Sequence, residues 1–376
     1  MTAHQMKITA TQMEGSMSAH LLDRVERLRP VLEANAPKAD AERKLPQVVF
    51  DSMYDAGLFA MLAPRAYGGF ELPPSEAMRV WEAVARIDAA AAWNLVMNQG
   101  FACAAAWLPE DGAQELLGDG PTTIAGPFFP PGSARRVDGG WQVTSRGPYA
   151  SGCHNARWFW LSALETQGGE PVVDPDSGDP IAYGFFIPRE EAEIFDTWHT
   201  LGMRGTGSAD IGVADVFVPD RRAMRMGPLQ APAPGFEGPL YRMWPLSAVL
   251  GETTVSIGIA AAAVDAIVDL VKVKTPAFSA TALRDQAVAQ HAVGRAAGKV
   301  NASRDTLHAA AREAYEETKA GGELLSWDAK IRLQLAVNFA AESCAEAVRL
   351  VHAVAGASAI RLEYPFERLF RDIHTL

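Results

Sequence analysis

Between Ser145 and Phe159 the chain reads SRGPYASGCHNARWF, which sets a tyrosine, a serine, a cysteine and a histidine close together. Cys153 and His154 suggest a nucleophile beside its base. Neighbours on a strand face opposite ways, however, and a catalytic Cys–His pair comes from segments separated in sequence. A buried or loop cysteine is the better reading. Tyr149 and Ser151 are two apart, so on a strand they share one face; the alternative is that Ser151 closes a turn. A second chemical stretch is RGTGS, from Arg204 to Ser208. Its cation, glycines and two hydroxyls suit close backbone approach to a phosphate or a ring edge, and also a tight turn before the apolar run 211–218. His374, in ERLFRDIHTL, is a candidate acid–base group or an exposed residue of a terminal helix. Glu363 and Glu367 read as partners of Arg361, Arg368 or Arg371. Glu252 reads as an acid at a helix start, favoured by the helix dipole.

Other cofactor and catalytic signatures are weak or missing. GTGSAD (205–210) precedes a strand rather than joining strand to helix, so it is no dinucleotide fingerprint. GRAAGK (294–299) is too short for a P-loop, and HExxH, CxxC and GxSxG do not occur. The formal net charge of −11 argues against a general nucleic-acid binder, which needs a basic face. No uninterrupted run of 18 apolar residues marks a membrane span, and no basic start with an apolar core marks a secretory signal. Three cysteines, at 103, 153 and 344, form neither a disulfide framework nor a metal spacing, which fits a reducing cytoplasm.

The elements that must position these residues fall into three regions. At 376 residues the chain has length for two or three packed units. Residues 1–118 read as helical, with apolar residues at three-to-four spacing in 20–36, 46–57, 75–89 and 91–107, broken by the loop PRAYGGFELPP (64–74). Residues 119–226 carry β-branched and aromatic runs at 139–145, 157–164, 181–187 and 211–218, which predict a small antiparallel sheet or barrel. Residues 227–376 open with a proline-rich linker and return to long alanine-rich helices at 250–272, 282–319 and 326–355, which predict an antiparallel bundle, with a last short helix over PFERLFRDIH.

Taken together, LPQVVFDSMYDAGLFAMLAPRAYGGFEL, RRVDGGWQVTSRGPYASGCHNARWFWLSA, TWHTLGMRGTGSADIGVADVFVPDRR and EYPFERLFRDIH resemble, in order and spacing, the acyl-CoA dehydrogenase superfamily. The YASG and GMRGTGS blocks look most like its flavin-dependent monooxygenase branch, whose oxygenase components take reduced flavin from a separate reductase. The resemblance implies a mainly α fold with a β domain: N-terminal helices, a central β-barrel and a C-terminal four-helix bundle, usually a homotetramer. It implies a flavin between barrel and bundle, with Ser151 at flavin N5, Tyr149 on the ring, and Arg204, Gly205, Thr206, Gly207 and Ser208 along its edge. His154 and His374 are the histidines it leaves for acid–base work. Partners would be a flavin reductase, O2 and a small organic substrate under a lid made by 64–74 and 125–135.

Departures from the superfamily pattern sharpen these expectations. KVKTPAF lacks the arginine that contacts an FAD diphosphate, and HAVAGASA keeps only Gly356 of a glycine-rich loop for the same group, so reduced FMN is favoured over FAD. One dehydrogenase base position falls near Ala248, which is not acidic, and the other would fall beyond Leu376. Phe101 and Asn155 stand where aromatic hydroxylases of the branch often carry histidine, which turns the reading from phenols towards amines or sulfur compounds. The alternatives are an FAD-dependent acyl-CoA dehydrogenase-like enzyme and a flavin-free ligand-binding or scaffold relative.

Overall fold

Residues 10–127, 132–227, 232–243, 246–321 and 325–376 are described by a computed structural model. The N-terminal helices are α1 (Ala10–Glu42), α2 (Gln47–Asp55), α3 (Pro74–Ala85), α4 (Ala89–Ala102) and α5 (Glu110–Leu117). Strands follow: β1 (Ile124–Ala125), β2 (Gly132–Val137), β3 (Gly140–Gly147), β4 (Trp158–Gln167), β5 (Glu170–Pro171), β6 (Ala182–Pro188), β7 (Glu193–Phe195), β8 (Asp210–Pro219) and β9 (Ala223–Arg225). The chain closes with α6 (Leu246–Val273), α7 (Ala287–Lys319), α8 (Trp327–Ala355) and α9 (Phe366–Ile373).

Local chemistry sets the helix ends. Pro74 occupies the first turn of α3, where a missing N–H costs nothing. Asp88 caps α4 by accepting from the Ala90 N–H at 3.0 Å, and Ser326 caps α8 by accepting from the Ala329 N–H at 3.1 Å. Gly356, with φ +56°, ends α8. Helix α6 begins at Leu246, so Glu252 lies in its second turn; the helix-start explanation for Glu252 does not hold. The segment Ala248–Val273 is long and apolar enough to cross a membrane by length and composition. Here it is the central helix of the bundle, packed by α3, α4, α7, α8 and α9.

The sheet runs β7-β8-β3-β2-β4-β6-β9, with β1 and β5 also on β4. It is mixed rather than purely antiparallel, because β2 and β1 pair with β4 in parallel. It curls round its own core, yet its hydrogen-bonded path stays open between β7 and β9 among the described residues. Alternation directs β4 two ways. Phe159 and Leu161 enter the sheet's own core, whereas Trp160 enters the core shared with the helices. Strand β6 does the same with Phe185 and Ile187 against Phe186. Both faces are buried, so these strands read as continuous apolar runs. Strand β2 escapes a sequence reading because Arg135 and Arg136 face solvent and only Ala134 is buried.

A candidate site where sheet, loop and helix meet

Ser151 does not lie on a strand. β3 ends at Gly147, and 151–155 form a turn in which Gly152 has φ +75°. Tyr149 itself has φ +65°, so the strand alternation that would put it on one face with Ser151 is broken. The outcome corrects that expectation: Tyr149 is 68% exposed and Ser151 only 4%. The Tyr149 ring meets the Trp198 ring edge-on, centroids 6.2 Å apart. The turn reading of Ser151 is the one the backbone adopts.

Around Ser151 the fold builds a line of buried hydroxyls. Trp93, on α4, donates its indole N–H to Ser151 Oγ at 2.9 Å. Ser151 Oγ lies 2.7 Å from Ser208 Oγ, which lies 2.7 Å from Thr206 Oγ1. Thr206 in turn donates to the Met203 carbonyl at 2.8 Å. Ser208, and through it Thr206, thus joins Ser151 although more than 50 residues intervene. The backbone joins the segments as well: Gly152 N–H donates to Thr206 O at 3.0 Å, and Ala150 N–H to Ala209 O at 3.1 Å.

The 201–208 segment is held from behind. The Asp372 carboxylate on α9 accepts the Met203 N–H at 2.6 Å, and Arg371 donates to Leu201 O at 2.8 Å. A Cβ on Gly202 would stand 2.2 Å from the Arg371 carbonyl oxygen, so only glycine permits that approach. Burial pushes the Asp372 carboxyl up to about 6. Gly205 packs against Ala39 of α1 and Ala90 of α4. Arg204 faces α1: its Nε donates to Asp40 O at 2.9 Å and lies 3.8 Å from the Asp40 carboxylate. That cation therefore pins the loop to α1 instead of standing open to a phosphate.

Cys153 and His154 do not form a nucleophile and base. Cys153 is buried and donates its S–H to Gly207 O at 3.3 Å, and burial pushes its thiol up to about 12. The His154 ring lies over Gly207 (φ +55°), where a Cβ would stand 2.8 Å from its Cδ2. Burial, and then the nearby Lys44 and Arg189 charges, lower its pKa, so the imidazole is neutral at pH 7. His374 ends α9 on the surface, with Nδ1 2.7 Å from Phe370 O and its ring on Phe370. Asn155 donates to Gln47 Oε1 at 2.9 Å, and Phe101 is buried beside Trp160.

Sequence reasoning missed Trp93, Asn94 and Asn98. Asn94 and Asn98 are 1% and 0% exposed, on the α4 face that meets Gly152. Both polar side-chain atoms of Asn94, and Oδ1 of Asn98, have no partner among the described residues. Gln99, one residue on, is by contrast fully used between Trp81 and Leu58. Buried amides left unpaired are costly and point to a polar ligand or water. The available signal was two asparagines one turn apart in an otherwise apolar helix. The Asn94 amide and the Asn98 Oδ1, next to a buried hydroxyl line and the Tyr149–Trp198 pair, fit the nitrogens and carbonyls of a flavin-like ring. One large surface hollow does not. At about 790 Å³ it lies between α1, α3 and α7, and its Arg29, Arg86 and Arg304 are already paired with Glu26, Asp265 and Glu82. Part of the expected lid, 128–131, lies outside the described residues.

Two family descriptions match the chain: "Acyl-CoA dehydrogenase, N-terminal domain" over residues 23–116 and "Acyl-CoA dehydrogenase, C-terminal domain" over residues 250–376. A pigment production hydroxylase of Rhodococcus sp. is 29% identical over 95% of this chain and 91% of that protein. The flavin-dependent monooxygenase oxygenase subunit HsaA of Mycobacterium tuberculosis is 28% identical over 98% of this chain and 92% of its own length. In fold, the chain superposes on XiaF from Streptomyces sp., solved with FADH2 and glycerol, with a TM-score of 0.86 at 24% identity over 97% and 92% of the two chains.

Proposed function

Because the chain belongs to the acyl-CoA dehydrogenase superfamily, we propose that it is the oxygenase component of a two-component flavin-dependent monooxygenase. A separate reductase would deliver reduced flavin, and O2 would be the co-substrate. The observation that carries this reading is the buried hydroxyl line ending at Ser151, bordered by the unpartnered Asn94 amide and the unpartnered Asn98 Oδ1. When bound, a reduced flavin supplies the electrons that activate O2; the chain supplies position, polarity and a dry setting.

Ser151 Oγ would hold the ring at N5, and the Asn94 and Asn98 amides would pair with its polar edge. Tyr149 and Trp198 would close over it from the exposed side. Thr206, Ser208, Gly205 and Gly207 would shape the edge on which it rests, with Arg204 as a positioning residue bound to Asp40. Buried Phe101 and Trp160 would keep water from the reacting atoms. Neutral His154 would be a proton acceptor near the loop, and His374 a second one, with Nε2 free when Nδ1 donates to Phe370 O. Phe101 and Asn155 offer no base at their own positions, which favours an amine or a sulfur compound, attacking with its own lone pair, over a phenol. FMN is favoured over FAD because the stretch KVKTPAF (272–278) carries no arginine.

The assembly is proposed as a homotetramer, supported by an apolar stripe on α8. The three cysteines are free thiols, which suits a reducing cytoplasm. The test is anaerobic titration with reduced FMN, then mixing with O2 and a panel of amines and sulfides. Oxygenated product and tight binding of the reduced form are expected. Ser151→Ala should weaken reduced-flavin binding about five- to tenfold, the worth of one hydrogen bond, and release more hydrogen peroxide per turnover. One observation favours the dehydrogenase reading: Glu252, one turn beyond Ala248, is half-buried with its pKa raised by burial. Bleaching of bound FAD by acyl-CoA thioesters would establish that reading and remove the leading one.

A further inference from the structure

We propose that the hydroxyl line Thr206–Ser208–Ser151 has a fixed hydrogen-bond direction that makes Ser151 an acceptor only towards the flavin, so that the site selects reduced over oxidised flavin. The inference deepens the proposed function and rests on its placement of flavin N5 at Ser151.

The direction follows from counting protons. A carbonyl oxygen cannot donate, so the 2.8 Å contact between Thr206 Oγ1 and Met203 O requires the threonine proton to point at the carbonyl. Thr206 has no second proton. The 2.7 Å contact with Ser208 is therefore made by the Ser208 proton, with Thr206 accepting. Ser208 has then used its only proton, so its 2.7 Å contact with Ser151 is made by the Ser151 proton. At the other end Trp93, whose indole can only donate, gives its proton to Ser151 Oγ at 2.9 Å. Ser151 is left with no proton to offer and one lone pair free.

The line is anchored where it begins. Met203 O also accepts from Thr206 N–H at 3.1 Å and from Trp198 Nε1 at 3.2 Å, and Met203 N–H donates to Asp372 at 2.6 Å. The carbonyl therefore cannot swing away and let the protons reverse. Ser151, Thr206 and Ser208 are all buried, so water does not substitute for a missing partner. A reduced flavin carries N5–H, a donor, which the free lone pair of Ser151 accepts. An oxidised flavin presents N5 as an acceptor, and two acceptors facing each other in a dry site repel. Thr206 and Ser208 are thus positioning residues that set the redox preference through Ser151.

The experiment measures dissociation constants for oxidised FMN and for dithionite-reduced FMN, anaerobically, in the wild-type protein and four variants. Thr206→Val removes the acceptor for Ser208, and Ser208→Ala removes the acceptor for Ser151; either frees the Ser151 proton. Each should tighten oxidised FMN about tenfold and bring the reduced-to-oxidised preference down by that factor. Thr206→Ser keeps the hydroxyl and should restore the wild-type ratio. If Ser151→Ala weakens reduced FMN while Thr206→Val and Ser208→Ala leave the ratio unchanged, the directional line is overturned and the flavin placement survives. If Ser151→Ala changes neither constant, the flavin is not at Ser151 and both fall together.

Discussion

At the scale of single residues, Cys153, the most reactive-looking side chain, is not one the fold exposes to chemistry. Cys153 keeps its proton: burial lifts the thiol to about 12, and its S–H is engaged with Gly207 O. Cys153→Ala should therefore leave oxygenation within about twofold of the wild type and cost about 1–2 kcal/mol of stability from the small cavity. Native protein at pH 8 should resist iodoacetamide at this position. Rapid labelling of Cys153, or loss of turnover in the alanine variant, would return it to the mechanism. Ser151 was visible in the sequence as a hydroxyl in a glycine-rich loop. Its neighbours were not, because Trp93, Thr206 and Ser208 reach it from segments 58, 55 and 57 residues away.

At the scale of elements, the 201–206 segment owes its shape to α9. Asp372 holds the Met203 N–H, and Arg371 joins Leu201 O, Asp40 and Glu367. Burial raises the Asp372 carboxyl from an ordinary 3.8 to about 6. A raised folded-state pKa means that between those values the native protein holds a proton the unfolded chain has released. The stability this contributes is fully present below 3.8 and is lost as pH rises through about 6. Asp372→Asn keeps an acceptor for Met203 and abolishes the titration. Melting curves from about pH 4 to 7 should show the variant gaining on the wild type as pH rises, by about 2–4 °C. A difference that stays constant with pH would show that Asp372 does not titrate there. Helix α9 itself was readable from PFERLFRDIH; its grip on a loop some 170 residues earlier was not.

At the scale of the whole molecule, α8 leaves part of its surface unpartnered within one chain. Trp327, Ile331, Leu335 and Phe339 recur every fourth residue and are 77%, 53%, 63% and 44% exposed. Residues at that spacing line one face of a helix, and an exposed apolar stripe is where a subunit contact would fall. The homotetramer is proposed from the family resemblance, and this stripe offers a face for one of its contacts. Leu335→Glu places a carboxylate in that stripe, and desolvating it would cost several kcal/mol per contact. Light scattering should then report a smaller species than the wild type at the same concentration. An unchanged mass would place the subunit interface elsewhere or remove the assembly.

What the sequence determined by itself was the order of elements: helices, strands, then long helices. Local periodicity carries that order, since Phe159, Trp160 and Leu161 announce a doubly buried strand and the alanine-rich runs announce a bundle. The resemblance in the YASG and GMRGTGS blocks also pointed to the two loops from which the proposed site is built. Tertiary structure alone decided the rest. It turned Tyr149 outward through a positive φ, where strand alternation predicted a shared face with Ser151. It directed Arg204 to Asp40, left the Asn94 amide and the Asn98 Oδ1 unpaired near Gly152, and ordered three hydroxyls into one line. Periodicity is a property of neighbours along the chain, whereas a hydrogen-bond direction depends on which distant carbonyl takes the first proton, here that of Met203.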